Sequence, residues 1–128
     1  APVYAVECLP EACELIRENR RRLGGWNVHV IEGKAPAALE GLPAPDAVFI
    51  GGTRGQLEPI LSAAWQANPA ARVCITAVTV ETLAAAVAGI TALGRKAQVT
   101  QIGAAHTGEG KIHLLRAENP IFLITAHT

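Results

Sequence analysis

The chain has 128 residues, half of them apolar and 17% charged, with two Trp, two Phe and one Tyr. That length argues for one domain, with a core built from Val, Ile, Leu and Ala, and the polarity is too low for a disordered chain. The 11 basic and 11 acidic residues balance, with four His counted neutral, so the chain offers no electrostatic footprint for nucleic acid or an anionic membrane.

The three cysteines, Cys8, Cys13 and Cys74, are odd in number and form no CxxC. Neither a disulfide framework nor a zinc site is suggested, no metal is expected, and reduced thiols in a cytoplasmic protein fit best. No apolar stretch is long enough to span a bilayer, and the first residues lack the basic flank and apolar run of a signal peptide.

Val3 to Val6 is a short β-prone run ending in Glu7. Leu9, Ala12, Cys13, Ile16 and Leu23 then fall at helical spacing. Pro10 suits a first helical turn, Glu11 suits the positive helix end, and Gly24-Gly25 supply the stop. Arg17, Arg20, Arg21 and Arg22 read as the solvated face of that helix. Val28, Val30 and Ile31 make a second strand ending at Glu32-Gly33, and Pro36 to Leu42 has room for a short helix.

Ala47-Val48-Phe49-Ile50 is a continuous apolar run, the mark of a strand buried on both faces, and it breaks at Gly51-Gly52. Leu57, Ile60, Leu61, Ala64 and Trp65 carry the next helix, which Asn68-Pro69 ends. Arg72 to Thr76 is a strand, and Glu81 to Leu93 an Ala-rich helix closed by Gly94. Val99 and Ile102 lie in a further strand, followed by a Gly-containing stretch from Gly103 to Gly110 and a short extended piece at Ile112, Leu114 and Leu115. Asn119-Pro120 opens the last strand, Ile121 to Thr125. Strand and helix alternate through most of the chain, which predicts an α/β fold with parallel strands and right-handed crossovers. The final two strands have no helix between them and can pair antiparallel.

Ligands of open α/β sheets bind beyond the carboxyl ends of the strands. Three consecutive strand ends carry suggestive residues. Glu7 can accept hydrogen bonds from the vicinal hydroxyls of a ribose. The small-residue turn Glu32-Gly33-Lys34-Ala35 would let a flat ring lie against backbone, although an ordinary βα turn reads the same way. Ile50-Gly51-Gly52-Thr53 allows close approach of a ligand at the end of a buried strand. Together they match the way a nucleoside is held across several strand tips.

Longer stretches carry a family likeness. Pro45-Asp46-Ala47-Val48-Phe49-Ile50-Gly51-Gly52, Thr76-Ala77-Val78-Thr79-Val80-Glu81-Thr82-Leu83 and Asn119-Pro120-Ile121-Phe122-Leu123-Ile124-Thr125, with Tyr4-Ala5-Val6-Glu7 and the Glu32-to-Pro36 turn, resemble the decarboxylating precorrin C-methyltransferases of cobalamin biosynthesis. The resemblance covers nearly the whole chain. It implies a three-layer Rossmann-like class I methyltransferase sheet, mostly parallel with an antiparallel last strand.

The resemblance also implies S-adenosylmethionine as cofactor, S-adenosylhomocysteine as product, and a precorrin tetrapyrrole as substrate. A meso carbon would be methylated and a ring acetate would lose carbon dioxide. By position, Glu7 would bind the ribose, Gly33, Lys34 and Ala35 would flank the adenine, and Ile50, Gly51 and Gly52 would line the methionine end. The substrate's carboxylates call for basic groups. Arg54, beside Gly51 and Gly52 at the methyl-transfer gap, is the first candidate, and His106, Lys111, His113 and Arg116 follow. A homo-oligomer, specifically a tetramer, is implied as well, with no nucleic-acid or membrane partner. His29 is expected to be structural, His127 inert, and Cys74 a small hydrophobe rather than a nucleophile.

Two departures stand out. The family commonly has Asp where Lys34 stands, and Lys has no acceptor, so adenine contact would fall to backbone. The family's glycine-rich loop and its central first strand lie upstream of the strand ending in Glu7, whereas only Ala1, Pro2 and Val3 lie upstream of Tyr4-Ala5-Val6-Glu7 here. The expectation is a single N-terminally incomplete methyltransferase domain over 1–128, part of a longer protein. The alternatives are another class I small-molecule methyltransferase, a nicotinamide-binding domain, or a truncated domain serving in assembly.

Overall fold

A computed structural model describes residues 1–53 and 55–127. The chain divides into two compact units, Ala1–Pro43 and Ala44–Thr128. The first holds strand β1 (Val3–Glu7), helix α1 (Pro10–Leu23), strand β2 (Val28–Glu32) and a 3-10 turn at Ala37–Leu39. The second holds β3 (Ala47–Ile50), α2 (Leu57–Ala67), β4 (Arg72–Ala77), α3 (Val80–Ala92), β5 (Lys96–Ile102), β6 (Ala105–Thr107), β7 (Leu115–Ala117) and β8 (Ile121–His127). The alternation is that of an α/β fold, as the sequence pattern predicts. No helix among the described residues is long and apolar enough to cross a membrane.

In the first unit β1 and β2 pair in parallel, Val3 against Val28 through Glu7 against Glu32, with α1 as the crossover. Pro10 opens α1, and Gly24 closes it in the left-handed conformation at φ 71° while its N–H donates to Arg20 O. That backbone geometry is close to free for glycine and strained for other residues. Arg17 and Arg21 pair with Glu14 and Glu18 one turn back, so the basic run is partly neutralised on the helix surface. Tyr4 and His29, partners in the register, stack with ring centroids 5.2 Å apart, which gives His29 its structural role. Where a short helix was expected over Pro36 to Leu42, only one 3-10 turn forms.

The second unit is built on a four-stranded sheet in the order β3-β4-β8-β5. β3 and β4 are parallel, and β8 runs antiparallel to both β4 and β5. Helix α3 packs on β4, β5 and β8 and against α2. Leu61, Ile75, Ile90 and Ile124 are fully enclosed and form the centre of this core. Gly89 lets the helices close up: a Cβ there would lie 3.4 Å from Leu61 Cδ1. Trp65 fastens the end of α2, its Nε1–H donating to Ala71 O at 3.0 Å while the Arg95 guanidinium lies 4.1 Å from the ring centroid. Such a stacked cation adds a modest increment beyond burial.

Two expectations change. The apolar run of β3 predicted burial on both faces, yet Ile50 is buried and Phe49 is 70% exposed. The reason is one-sided cover: Val73, Ile75, Ala77 and Ile124 point to the helices, whereas Phe49 shares the other face with its register partner Cys74, which is half-buried. The stretch after β5 holds a hairpin, β6 against β7, with Ala105 opposite Ala117, so the extended piece expected at Ile112, Leu114 and Leu115 begins only at Leu115 and has a partner strand inside the Gly-containing stretch.

Leu61→Ala should lower unfolding free energy by about 2–5 kcal/mol, the range for a truncated leucine in a closed core. Urea denaturation followed by circular dichroism measures it, and a loss below about 1 kcal/mol would show that the α2–α3 core is looser than described.

Candidate functional site

The first unit presents the first group of candidate site residues. Glu7 ends β1, and its Oε1 accepts hydrogen bonds from the Cys8 and Leu9 N–H groups, both at 3.0 Å. Its second oxygen has no partner among the described residues. The carboxylate is thus oriented by the turn into α1, at the positive end of that helix, and one oxygen stays open to a ligand. The parallel ladder runs one residue past β2: Gly33 N–H donates to Glu7 O at 2.9 Å. This brings Glu7 and the Gly33-Lys34-Ala35 turn side by side, as expected. The turn is held by Ala38 N–H donating to Lys34 O at 2.8 Å, and the Ala35–Pro36 peptide is cis. A Cβ on Gly33 would lie 3.0 Å from Ala38 Cβ, so glycine is needed there for close packing.

Cys13 was not singled out from the sequence as part of this region. Its Sγ–H donates to Glu7 O at 3.3 Å beneath the strand end, with no solvent access. Its place in the apolar stripe of α1 was the only signal. Burial holds its thiol pKa up, the nearby Glu32 carboxylate adds to the rise, and Arg17 opposes it.

The second unit presents Ile50, buried at the end of β3, followed by exposed Gly51 and Gly52. Neither glycine has positive φ. A Cβ on Gly51 would meet only the Phe49 ring, at 3.9 Å, and one on Gly52 would meet nothing within 4 Å. The fold therefore requires neither glycine, unlike Gly24 with its positive φ or Gly33 with its tight contact, and an open corner is left at the carboxyl end of a parallel strand. Phe49, whose ring borders that corner, was read in the sequence only as core.

Arg54 lies outside the described residues. His106 sits in β6, where its Nε2 and Glu118 Oε1 are 2.8 Å apart across the hairpin. Arg116 is its register partner and lies over Gly108, whose added Cβ would be 3.0 Å from the Arg116 Nε. Lys111 and His113 are exposed in the loop joining β6 and β7. The hairpin thus gathers His106 and Arg116 with Glu118, while Lys111 and His113 stay at its tip.

A buried thiol whose pKa is raised in the folded state contributes stability that is complete at low and neutral pH. That contribution is lost as pH rises through the ordinary thiol range and beyond. Cys13→Ala should flatten this alkaline fall in melting temperature at a fixed cost at pH 7; an identical alkaline slope in the variant would remove Cys13 as its source.

A profile of the precorrin methyltransferase domain matches residues 1–127. Among curated proteins, the probable cobalt-precorrin-6B C(15)-methyltransferase (decarboxylating) of Pyrobaculum calidifontis is 36% identical over 127 residues, 98% of this chain and 65% of its own length. The cobalt-precorrin-6B C(15)-methyltransferase (decarboxylating) of Salmonella typhimurium is 32% identical over 125 residues, 95% of this chain and 64% of its own length. Among solved structures, a precorrin-6Y C5,15-methyltransferase from Geobacter metallireducens superposes with a TM-score of 0.92 at 34% identity, covering 99% of this chain and 66% of that one. The chain therefore spans just under two thirds of the length of these relatives. The match runs through both units, from β1 to the end of β8, and the chain belongs to the precorrin methyltransferase domain family.

Proposed function

We propose that the protein is an S-adenosylmethionine-dependent methyltransferase of cobalamin biosynthesis, cytoplasmic, which methylates a meso carbon of a precorrin macrocycle and removes carbon dioxide from a ring acetate. The observation that carries this reading is the alignment of nearly the whole chain with relatives whose names state both methylation and decarboxylation.

The cofactor supplies an electrophilic methyl group on a sulfonium. The residues present fit such a group. Glu7 takes the ribose hydroxyls on its open oxygen, and Gly33, Lys34 and Ala35 flank the adenine through backbone groups. Lys34 contributes no acceptor of its own. Ile50, Gly51 and Gly52 take the methionine end, where the absence of side chains leaves room for the sulfonium and the attacking carbon to align. Arg54, His106, Lys111 and His113 neutralise substrate carboxylates, with Arg54 nearest in sequence to the glycine corner. Methyl transfer is an in-line displacement, so the protein's task is alignment and exclusion of water. In the decarboxylation, the electron pair of the breaking C–CO2 bond would enter the conjugated macrocycle as carbon dioxide leaves, and a proton taken up from solvent would then convert the remaining methylene to a methyl group, so the bond cleavage itself requires no acid–base dyad.

We propose further that the protein is a homo-oligomer, a tetramer. The β6–β7 hairpin supports this: its strands are three residues each, and Leu115 in β7 and Ile112 and Leu114 in the loop before it are all exposed. Two short strands alone are marginal in water without a partner surface. Sedimentation velocity should give a multimer that Leu114→Asp with Leu115→Asp dissociates; a monomeric wild type would refute this.

Calorimetric titration with S-adenosylhomocysteine tests the cofactor reading. The wild type should bind, Glu7→Gln should weaken binding by about tenfold, and Gly52→Ala should weaken it while leaving stability within about 0.5 kcal/mol. Absence of heat and of any rise in melting temperature with the wild type would sink the methyltransferase reading. Unchanged affinity in a variant would remove that residue from the site.

A further inference from the structure

The carboxyl edge of the second unit's sheet carries a feature that the cofactor reading does not use. β4 ends at Ala77, which is paired with Phe122 of β8. Val78 follows Ala77 directly, in the bend before α3, and Ile121, which precedes Phe122, is itself paired with Ile102 at the end of β5. Val78, Ile121 and Ile102 therefore gather as a row along one edge of the sheet, on three neighbouring chain segments whose adjoining residues are paired. Strands lie about 4.8 Å apart, so the row is about 10 Å long. All three side chains are open to solvent, at 66%, 40% and 46%. Val80, just beyond Val78, is exposed as well.

These are aliphatic side chains where solvation alone would favour polar ones. The helix start beside them shows the contrast: Thr79 caps α3, its Oγ1 accepting from Thr82 N–H at 3.1 Å, yet both of its neighbours are bare valines. The row lies at the carboxyl ends of β4 and β5, the edge at which ligands bind in such sheets and at which β3 carries the open Gly51-Gly52 corner. At its β5–β8 end the chain turns directly into the hairpin, where Glu118 N–H donates to Ala104 O at 2.9 Å and His106 and Arg116 follow. An apolar floor with the Arg116 guanidinium at one end, where Glu118 is already taken up by His106, is complementary to a flat macrocycle that carries carboxylates at its rim. A protein helix would call for a longer apolar groove.

We infer that Val78, Ile121 and Ile102 form the apolar floor against which the flat face of the tetrapyrrole substrate lies, an inference that rests on the methyltransferase reading above. The floor binds substrate and transition state alike, so its loss raises KM more than it lowers kcat.

The test is steady-state methyl transfer to a precorrin by the protein in its natural full length, comparing wild type with Val78→Ser and, separately, Ile102→Ser. Affinity for S-adenosylhomocysteine, melting temperature and sedimentation are read in parallel. The expected result is a KM for the precorrin raised about tenfold in each variant, with kcat and S-adenosylhomocysteine affinity within about twofold of wild type. The two sites check each other should one variant lose its fold. An unchanged KM with an active wild type overturns the floor and leaves the methyltransferase reading intact. A changed sedimentation coefficient with unchanged KM also overturns it and assigns the row to contact between copies. A wild type that binds S-adenosylhomocysteine but does not methylate a precorrin overturns both the substrate reading and the floor.

Discussion

The antiparallel return of β8 between β4 and β5 is the constraint on which the second unit depends. Its Ile124 has no solvent access and is paired with Ile75 on one side and Val99 on the other. Because β8 is hydrogen-bonded along both edges, its backbone groups are satisfied by neighbours rather than by water. The apolar surface of α3 then has a continuous sheet to close against. The same pairing sets Ile102 beside Ile121, so the residues between them must leave and return at one place. An antiparallel hairpin is the economical path for such an excursion, and β6 and β7 form it.

The first unit rests on a different balance. Cys13 is its single fully buried apolar residue among those described, so parallel pairing of β1 with β2 and the ends of α1 carry much of its order. The register sets two carboxylates, Glu7 and Glu32, at adjacent strand ends, a like-charge arrangement that opposes folding. The two N–H groups at the start of α1 that hold Glu7 Oε1 offset part of this. A charged group held at a strand tip by the turn itself is already oriented for a ligand, which lowers the ordering cost of binding.

Much of this was legible from residues alone, and the failures are physical. The 3.6-residue spacing of Leu57, Ile60, Leu61, Ala64 and Trp65 marks a helix because those side chains share one face, and all five are buried. Pro10 and Gly24 bounded α1 correctly because each has few conformations elsewhere to compete with. Phe49 was misread as core because an apolar run shows what a strand is able to bury and not which of its faces meets a helix. The hairpin was missed because its strands are three residues long, too short for alternation to show, and because its register, one residue out of step with that of β5 and β8, is set by pairing across the loop.

The candidate site divides the same way. Glu7, Gly33 and Gly51-Gly52 announced themselves because an acid or a glycine at a strand end is a local property of the chain. Only the tertiary structure separated the glycines: Gly33 is held against Ala38 and belongs to the packing, whereas Gly52 faces open space and does not. That distinction depends on whether the following turn folds back against the glycine, as it does at Ala38 and does not beyond Gly52. The row of Val78, Ile121 and Ile102 is likewise invisible in sequence, because the pairing of β4 and β5 with β8 brings those three positions to one edge of the sheet. The sequence by itself determined the α/β alternation, the family and the chemistry available at each strand tip. Tertiary structure decided which faces stayed bare and which residues met, since burial and register are set by pairing between segments and not within them.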